Sequence, residues 1–369
     1  MSTRARETVH VTAATREYDV IVGTGLLGEV GTRLRAAVSA DVAFVVSDTN
    51  VAPLYMDRVV ASLAAAEFEV GSVVIEAGEA HKNLQSFGTI LEAMAAAGLT
   101  RDSIVVALGG GVVGDMAGFA AASFMRGIRV VQLPTTLLSM VDSSVGGKTA
   151  IDLSRGKNLV GAFLQPSLVL ADVDCLQTLA PDVFVDGIGE VVKHGVLADE
   201  ALFDELTTSP LTQSSDADFL TRIVARNVAI KRDVVGADEQ EHGVRQTLNL
   251  GHTIGHAIEA ASGYTLGHGH CVAAGLCCVA RATEHMGWSE PGLAARIEAC
   301  VAAQGLPTTS DLPVESLVAQ ASHDKKRHGA GVNLVVPARI GDAQIRHVSL
   351  DELTHLIRIS TTPSRSTTT

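Results

Sequence analysis

Short apolar runs recur through the first half of the chain, each followed by a polar turn. They are Tyr18–Val22, VAFVV ending just before Asp48, Val70–Ile75, Ile104–Leu108 and Val130–Leu133. Runs of this length, separated by helix-length segments, predict parallel strands alternating with helices. Ser103–Met125 is nearly apolar and about as long as a membrane span. Five glycines and Asp115 interrupt it, so strand, turn and helix is the better reading. The stretch VDSSVGGKTAIDLSRGKNLVGAF shows little helical or strand period. After Pro181 the pattern turns helical, with one strand-like run at Val332–Val336. The expectation is a Rossmann-like α/β domain with a parallel sheet over residues 1–180 and an all-helical domain over 181–360. The tail, 361–369, is low in complexity and expected to be disordered.

The most unusual polar pattern lies between Arg245 and His270. On a helix advancing about 100° per residue, Arg245, Asn249, His252 and His256 share an arc of roughly 60°. A soluble helix normally buries leucines or valines along so narrow a stripe. Burying a guanidinium, an amide and two imidazoles is costly unless they bind something. Gly251 and Gly255 fall on the far side, where a neighbour could approach closely. Ser262-Gly263 ends the helix, and the chain then offers His268 and His270. His-x-x-x-His places two imidazoles on one helical face, as zinc sites do, although core or surface histidines share that spacing. A distant carboxylate would complete an open site. Glu190 is the candidate, on a helix capped by Asp186 that also carries Lys193 and His194. Glu190 and Lys193 could equally form an exposed ion pair.

Two glycine turns compete for a nucleotide. Gly23–Gly28 spells G-x-G-x-x-G, with Asp48 placed where a ribose-binding acid might sit, but a tight strand-to-helix turn uses the same letters. GGGVVGD, Gly109–Asp115, follows a more apolar strand and is the stronger pyrophosphate candidate. Glu79 and Lys82 precede a helix, where a solvated charge pair is the plainer reading. Asp142, Lys148, Lys157 and Asn158 suit an anionic substrate; the spacing around GGKT is not that of a Walker loop.

The composition narrows the partners. A chain of 369 residues with 47% apolar and 19% charged residues is globular. Its net charge of −13 argues against general nucleic-acid or anionic-membrane binding. There are only seven lysines: Lys82, Lys148, Lys157, Lys193, Lys231, Lys325 and Lys326. Each falls in a polar segment of interest, the last two in the cluster from His323 to Arg327, which a charged loop would also explain. Five cysteines without Cys-x-x-Cys fit a reducing cytosol. The N-terminus lacks the apolar core of a signal peptide.

Five blocks in order, GGGVVGD, RGIRVVQLPTTLLSMVDSSVGGKT, GKNLVGAF, GEVVKHG and RQTLNLGHTIGHAIE, resemble the 3-dehydroquinate synthases of the sugar phosphate cyclase family. The resemblance runs from about residue 18 to 357. It implies a metal, Zn²⁺ or Co²⁺, on Glu190, His252 and His268. It implies NAD on Asp48, Asn50, Glu79, Lys82, the Gly111-Val112-Val113-Gly114-Asp115 turn, Thr135, Thr136 and Thr178, bordered by Asp142, Lys148 and Lys157. It therefore assigns the pyrophosphate to the second glycine turn. Lys148, Asn158, Asn249, His256 and Lys325 or Lys326 resemble the substrate shell, with Lys157, Lys193, Lys231 and Arg245 completing its polar lining. Arg126 resembles an arginine that reaches the neighbouring subunit's site, implying a homodimer. The implied enzyme is cytoplasmic. It oxidises 3-deoxy-D-arabino-heptulosonate 7-phosphate transiently with NAD, eliminates phosphate, returns the hydride and closes the ring by an aldol step. Where the family often reads His-Gly-Glu, this chain reads His268-Gly269-His270. A related cyclase, such as an aminodehydroquinate or 2-deoxy-scyllo-inosose synthase, and a metal-dependent polyol dehydrogenase are the rival readings.

Overall fold

The computed structural model describes residues 6–325 and 331–360. Lys326 and the 361–369 tail, expected above to be disordered, lie outside the described residues. The chain forms two compact units, 1–179 with 214–240, and 180–213 with 241–369.

The first unit begins with β1 (Arg6–Thr12) and β2 (Glu17–Gly23), an antiparallel pair, followed by α1 (Val30–Ala37). Then come β3 (Val42–Asp48), α2 (Ala52–Ala65), β4 (Glu69–Ile75), α3 (Leu84–Ala96), β5 (Ile104–Gly109), α4 (Gly111–Ser123) and β6 (Arg129–Pro134). A hairpin of β7 (Lys148–Leu153) and β8 (Gly156–Phe163) precedes β9 (Leu168–Asp172). The sheet order is β1-β2-β9-β6-β5-β3-β4, parallel from β2 onward. Every residue of β5 and β9 is buried, which is why those strands are continuous apolar runs instead of alternating ones. The chain leaves β3 toward β4 on one side and β5 toward β6 on the other. That switch point is where a doubly wound sheet opens a crevice at its strand C-termini.

The hairpin corrects the reading of VDSSVGGKTAIDLSRGKNLVGAF as periodless. Thr149 and Ile151 alternate inward from β7, while β8 keeps Gly161, where a Cβ would lie 2.0 Å from the Thr149 carbonyl. Glycine at the tightest pairing and exposed residues elsewhere hide the two-residue period.

The second unit opens with α5 (Pro181–Ala198) and α6 (Glu200–Thr208). Helix α7 (Ala217–Ala237), expected in the helical domain, packs into the first unit instead. A single cut at residue 180 therefore does not describe the organisation. The second unit resumes with α8 (His252–Ala261), α9 (His268–His285), α10 (Leu293–Ala303) and α11 (Val314–Lys325). It closes with the hairpin β10 (Gly331–Arg339) and β11 (Asp342–Ser349), then α12 (Leu350–Ser360). Among the described residues the unit is thus helical except for one hairpin, which supplies Val332, Leu334 and Val336 to a core shared with Ile254, Cys278, Leu353 and Ile357. Two expectations for local structure fail. Helix α5 starts at Pro181, whose fixed φ and missing N–H suit the first helical position, so Asp186 lies inside that helix and does not cap it. The Arg245–His256 helix is broken: Val244–Asn249 is a 3₁₀ segment, Leu250 is extended and Gly251 is left-handed at φ 79°.

Candidate metal and cofactor sites

The break at Gly251 sets up the metal cluster. A Cβ on Gly251 would lie 2.9 Å from Val272 O, and one on Gly255 2.9 Å from Cys271 O, so α8 can lie directly against α9. Likewise a Cβ on Gly189 would fall 2.2 Å from Gly269 O, so α5 touches α9 backbone to backbone. These contacts bring together Glu190 of α5, His252 at the start of α8 and His268 at the start of α9. Glu190 is completely buried. Its Oε1 lies 3.6 Å from His252 Nε2 and 3.5 Å from His268 Nε2, with no hydrogen-bond partner among the described residues. Its Oε2 pairs with Lys193 Nζ.

Those separations suit a shared ion. Donors each about 2.1 Å from a tetrahedral metal lie about 3.4 Å apart. The tautomers suit it too. His252 Nδ1 faces the Leu250 carbonyl at 3.2 Å; a carbonyl only accepts, so the proton is on Nδ1 and Nε2 keeps its lone pair. Burial opposes ionisation of Glu190, yet Lys193 and the two histidines hold its carboxyl well below the usual range. Burial, with Lys193 and the other imidazoles, holds His252 well below its ordinary value against the pull of Glu190. Burial also opposes a charge on His268, but Glu190 and Glu259 outweigh it and push the group up to about 10.

His256 is exposed, its ring 5.1 Å from that of His252 and 5.9 Å from that of His268. Arg245 is 1% exposed, and Asn249 Nδ2 donates to Glu241 Oε1 at 2.9 Å. With the helix broken, neither continues the α8 stripe. Glu190 and Lys193 are both buried, not an exposed pair. His270 packs on Asp186: its N–H donates to Oδ1 at 3.0 Å and its Nδ1 lies 2.8 Å from the same oxygen.

In the first unit the second glycine turn lies at the switch point. Gly110 precedes α4 and has no side chain with which to cap its first turn, leaving amide donors for a phosphate. A Cβ on Gly110 would approach Thr136 Cγ2 to 3.1 Å, and one on Gly111 would approach Ser143 Oγ to 3.2 Å. Val112, Val113 and Gly114 complete that turn. Thr135 donates its N–H to Gly109 O at 3.0 Å, and its buried hydroxyl has no partner among the described residues. Asp48 ends β3 and accepts the Asn50 and Val51 N–H groups on Oδ1, each at 2.9 Å, leaving Oδ2 for a ligand hydroxyl. These features fit a dinucleotide. The first glycine turn does not: Asp172 already fills it, accepting from Gly25 N and Leu27 N at 2.9 Å each, with Asp174 also on Gly25 N at 3.0 Å.

The remaining candidates of this unit form linked pairs. Lys82 is buried, not a solvated loop residue, and donates to Asp115 Oδ2 and Asn158 Oδ1, each at 2.6 Å. Burial raises the Asp115 carboxyl despite that lysine. Asn158 is left-handed at φ 55°, and its N–H donates to Asp152 Oδ1 at 2.7 Å. Lys157 lies 3.3 Å from Glu79. Lys231, from α7, donates to the Asp142 carbonyl and Oδ1 at 2.6 and 2.7 Å. Thr178 bonds Tyr55 Oη at 2.6 Å. Lys148 is exposed at the start of β7. Arg126 is exposed beyond the C-terminal end of α4 with φ 69°, about 20 Å along that helix from the Gly111 turn. Glu259 and Asp152 escaped the sequence reading. Glu259 could have been found, since it stands seven residues after His252 on the same helical face.

A parallel-sheet unit with a phosphate-ready switch point, and a helical unit with a two-imidazole, one-carboxylate cluster, define a class of enzyme that works with a dinucleotide and a divalent ion. Family models for the 3-dehydroquinate synthase N-terminal and C-terminal domains match residues 72–186 and 187–327. A 3-dehydroquinate synthase of Citrifermentans bemidjiense is 46% identical over 91% of this chain and 93% of its own. Among solved structures, a 2-deoxy-scyllo-inosose synthase with carbaglucose-6-phosphate, NAD⁺ and Co²⁺ aligns with TM-score 0.86 and 25% identity over 95% of this chain and 99% of that one. The 2-epi-5-epi-valiolone synthase of Streptomyces hygroscopicus with NAD⁺ and Zn²⁺ aligns with TM-score 0.83 and 27% identity over 93% and 96%. The chain belongs to the 3-dehydroquinate synthase family.

Proposed function

We propose that the protein is a 3-dehydroquinate synthase, converting 3-deoxy-D-arabino-heptulosonate 7-phosphate to 3-dehydroquinate and phosphate with NAD and one Zn²⁺ or Co²⁺. The convergence of Glu190, His252 and His268, with the Glu190 carboxylate ionised and the His252 Nε2 lone pair available, carries the reading. When bound, NAD would accept and return a hydride, and the ion would act as a Lewis acid on substrate oxygens.

The protein's own part is to bind and orient an acidic sugar phosphate. Arg245 is buried, and a guanidinium can grip the carboxylate at two points. Lys148, Lys157, Asn158, Lys231, Lys193, Asn249 and His256 would meet the phosphate and hydroxyls. Lys82, bonded to both Asp115 and Asn158, ties the dinucleotide cradle to a substrate amide. The 2-deoxy-scyllo-inosose reading shares the fold at 25% identity, against 46% for a dehydroquinate synthase. The enzyme is proposed to act in the cytoplasm as a homodimer, with Arg126, remote from its own α4 turn, serving the partner.

Phosphate release from the heptulosonate phosphate should need NAD and stop on chelation. His252→Ala should lose metal and turnover while keeping its circular dichroism. An active, metal-free variant would reject the assignment. Steady NADH accumulation with a simple polyol would favour a dehydrogenase, and faster turnover of another sugar phosphate a related cyclase.

A further inference from the structure

The two imidazoles of the cluster are held differently. His252 faces a backbone carbonyl through Nδ1. His268 faces a carboxylate there: Glu259 Oε2 lies 3.5 Å from its Nδ1. Glu259 is only 4% exposed. It sits in the last turn of α8, near the negative end of the helix dipole. A buried carboxylate at that place is costly unless it meets a donor, and an imidazole N–H is one.

We infer that Glu259 is a positioning residue of the metal centre, accepting the Nδ1–H of His268 so that Nε2 turns its lone pair toward the ion. The inference rests on the metal reading above and adds a source of ligand strength to it. A carboxylate partner makes an imidazole a better electron donor, and losing such a partner typically costs about 10- to 100-fold in metal affinity. His256, Glu259 and His268 also place donor atoms within 4.8 Å of one another, as a second ion would require. Sharing His268 between two ions would strip its last N–H, so the single-ion arrangement is the simpler use of these groups.

Zinc affinity of the full-length protein, measured by chelator competition, tests this directly. Wild type should bind one ion per chain. Glu259→Gln keeps the volume and an acceptor but removes the charge; it should bind about 10-fold more weakly or worse. NAD affinity in the same sample should stay unchanged. Zinc affinity within twofold of wild type would overturn the inference, as would a second equivalent of zinc that the variant loses. A wild type that binds no ion would instead overturn the metal reading. If the variant does not fold, nitrogen-15 spectra of the zinc-loaded wild type decide the matter. His268 must show a protonated Nδ1 and a metal-bound Nε2; an Nδ1 without its proton sinks the idea.

Discussion

Gly189→Ala tests whether helix contact, more than ligand identity, sets the metal cluster. The added Cβ would fall 2.2, 2.7 and 2.8 Å from the O, C and Cα of Gly269, all backbone atoms that no rotamer change can move aside. Ordinary contact begins near 3.4 Å, so α5 and α9 must part by about 1.2 Å, the difference between 3.4 and 2.2 Å. Glu190 follows Gly189 on α5, and His268 precedes Gly269 on α9. The parting therefore falls on the 3.5 Å gap between their donor atoms. A functional centre tolerates displacements of about 0.5 Å. An error of about 1 Å can cost on the order of 100-fold, and that is the expected loss of zinc affinity. Overpacking typically costs about 1–3 kcal/mol. With backbone on both sides the upper end applies, lowering Tm by about 6–12 °C in a unit of this size. Metal content after gel filtration, and calorimetric melts of the metal-free protein, read the two effects separately. Gly88→Ala in α3 is the control. Its Cβ meets nothing within 4 Å, and it should be neutral or stabilising by up to about 1 kcal/mol. Gly189→Ala with wild-type zinc content and melting temperature would refute the argument.

Three further outcomes follow from the charges. Lys82→Met leaves Asp115 mostly buried and unpaired, which should cost about 3–5 kcal/mol at neutral pH. Because a carboxyl raised in the folded state loses stability as pH rises through its titration, the deficit should narrow toward pH 5; a pH-independent deficit in thermal melts would contradict this. Zinc binding at pH 7.5 should release about one proton, because His268 is held near 10 while Glu190 and His252 are already deprotonated. Calorimetry in buffers of different ionisation enthalpy would show this, and release of none or two would refute it. If Arg126 serves the partner, Arg126→Ala and His252→Ala chains, each inactive, should recover about a quarter of wild-type activity when mixed and reassociated. No recovery with proven subunit exchange would remove Arg126 from the partner's site.

The parallel sheet was legible because β3, β5 and β6 are buried on both faces, and such strands write themselves as unbroken apolar runs; β9, equally buried, was not singled out from the sequence. The metal cluster was legible in its residues but not in its geometry. A continuous helix through Arg245 and His256 put His252 and His256 on one face, whereas the structure groups His252 with His268 of the next helix. It missed that Gly251 breaks the helix to let α9 in. Glycine spacing alone could not distinguish a far side free for a neighbour from a helix start pressed against one.

The two glycine turns show what a motif leaves out. Both place backbone amides after a strand, and both read as anion cradles. At Gly25 the anion is the protein's own: Asp172, 1% exposed, spends both oxygens on Gly25 and Leu27. That carboxylate comes from the end of β9, nearly 150 positions along the chain, so no local pattern could announce it. At Gly110 the N-cap residue has no side chain to cap the turn, and the neighbouring Thr135 hydroxyl is buried without a partner among the described residues. The difference between the turns lies in which amides the fold has already satisfied. A buried donor set left open is costly unless a ligand completes it. That cost is the physical reason to assign the dinucleotide to the second turn.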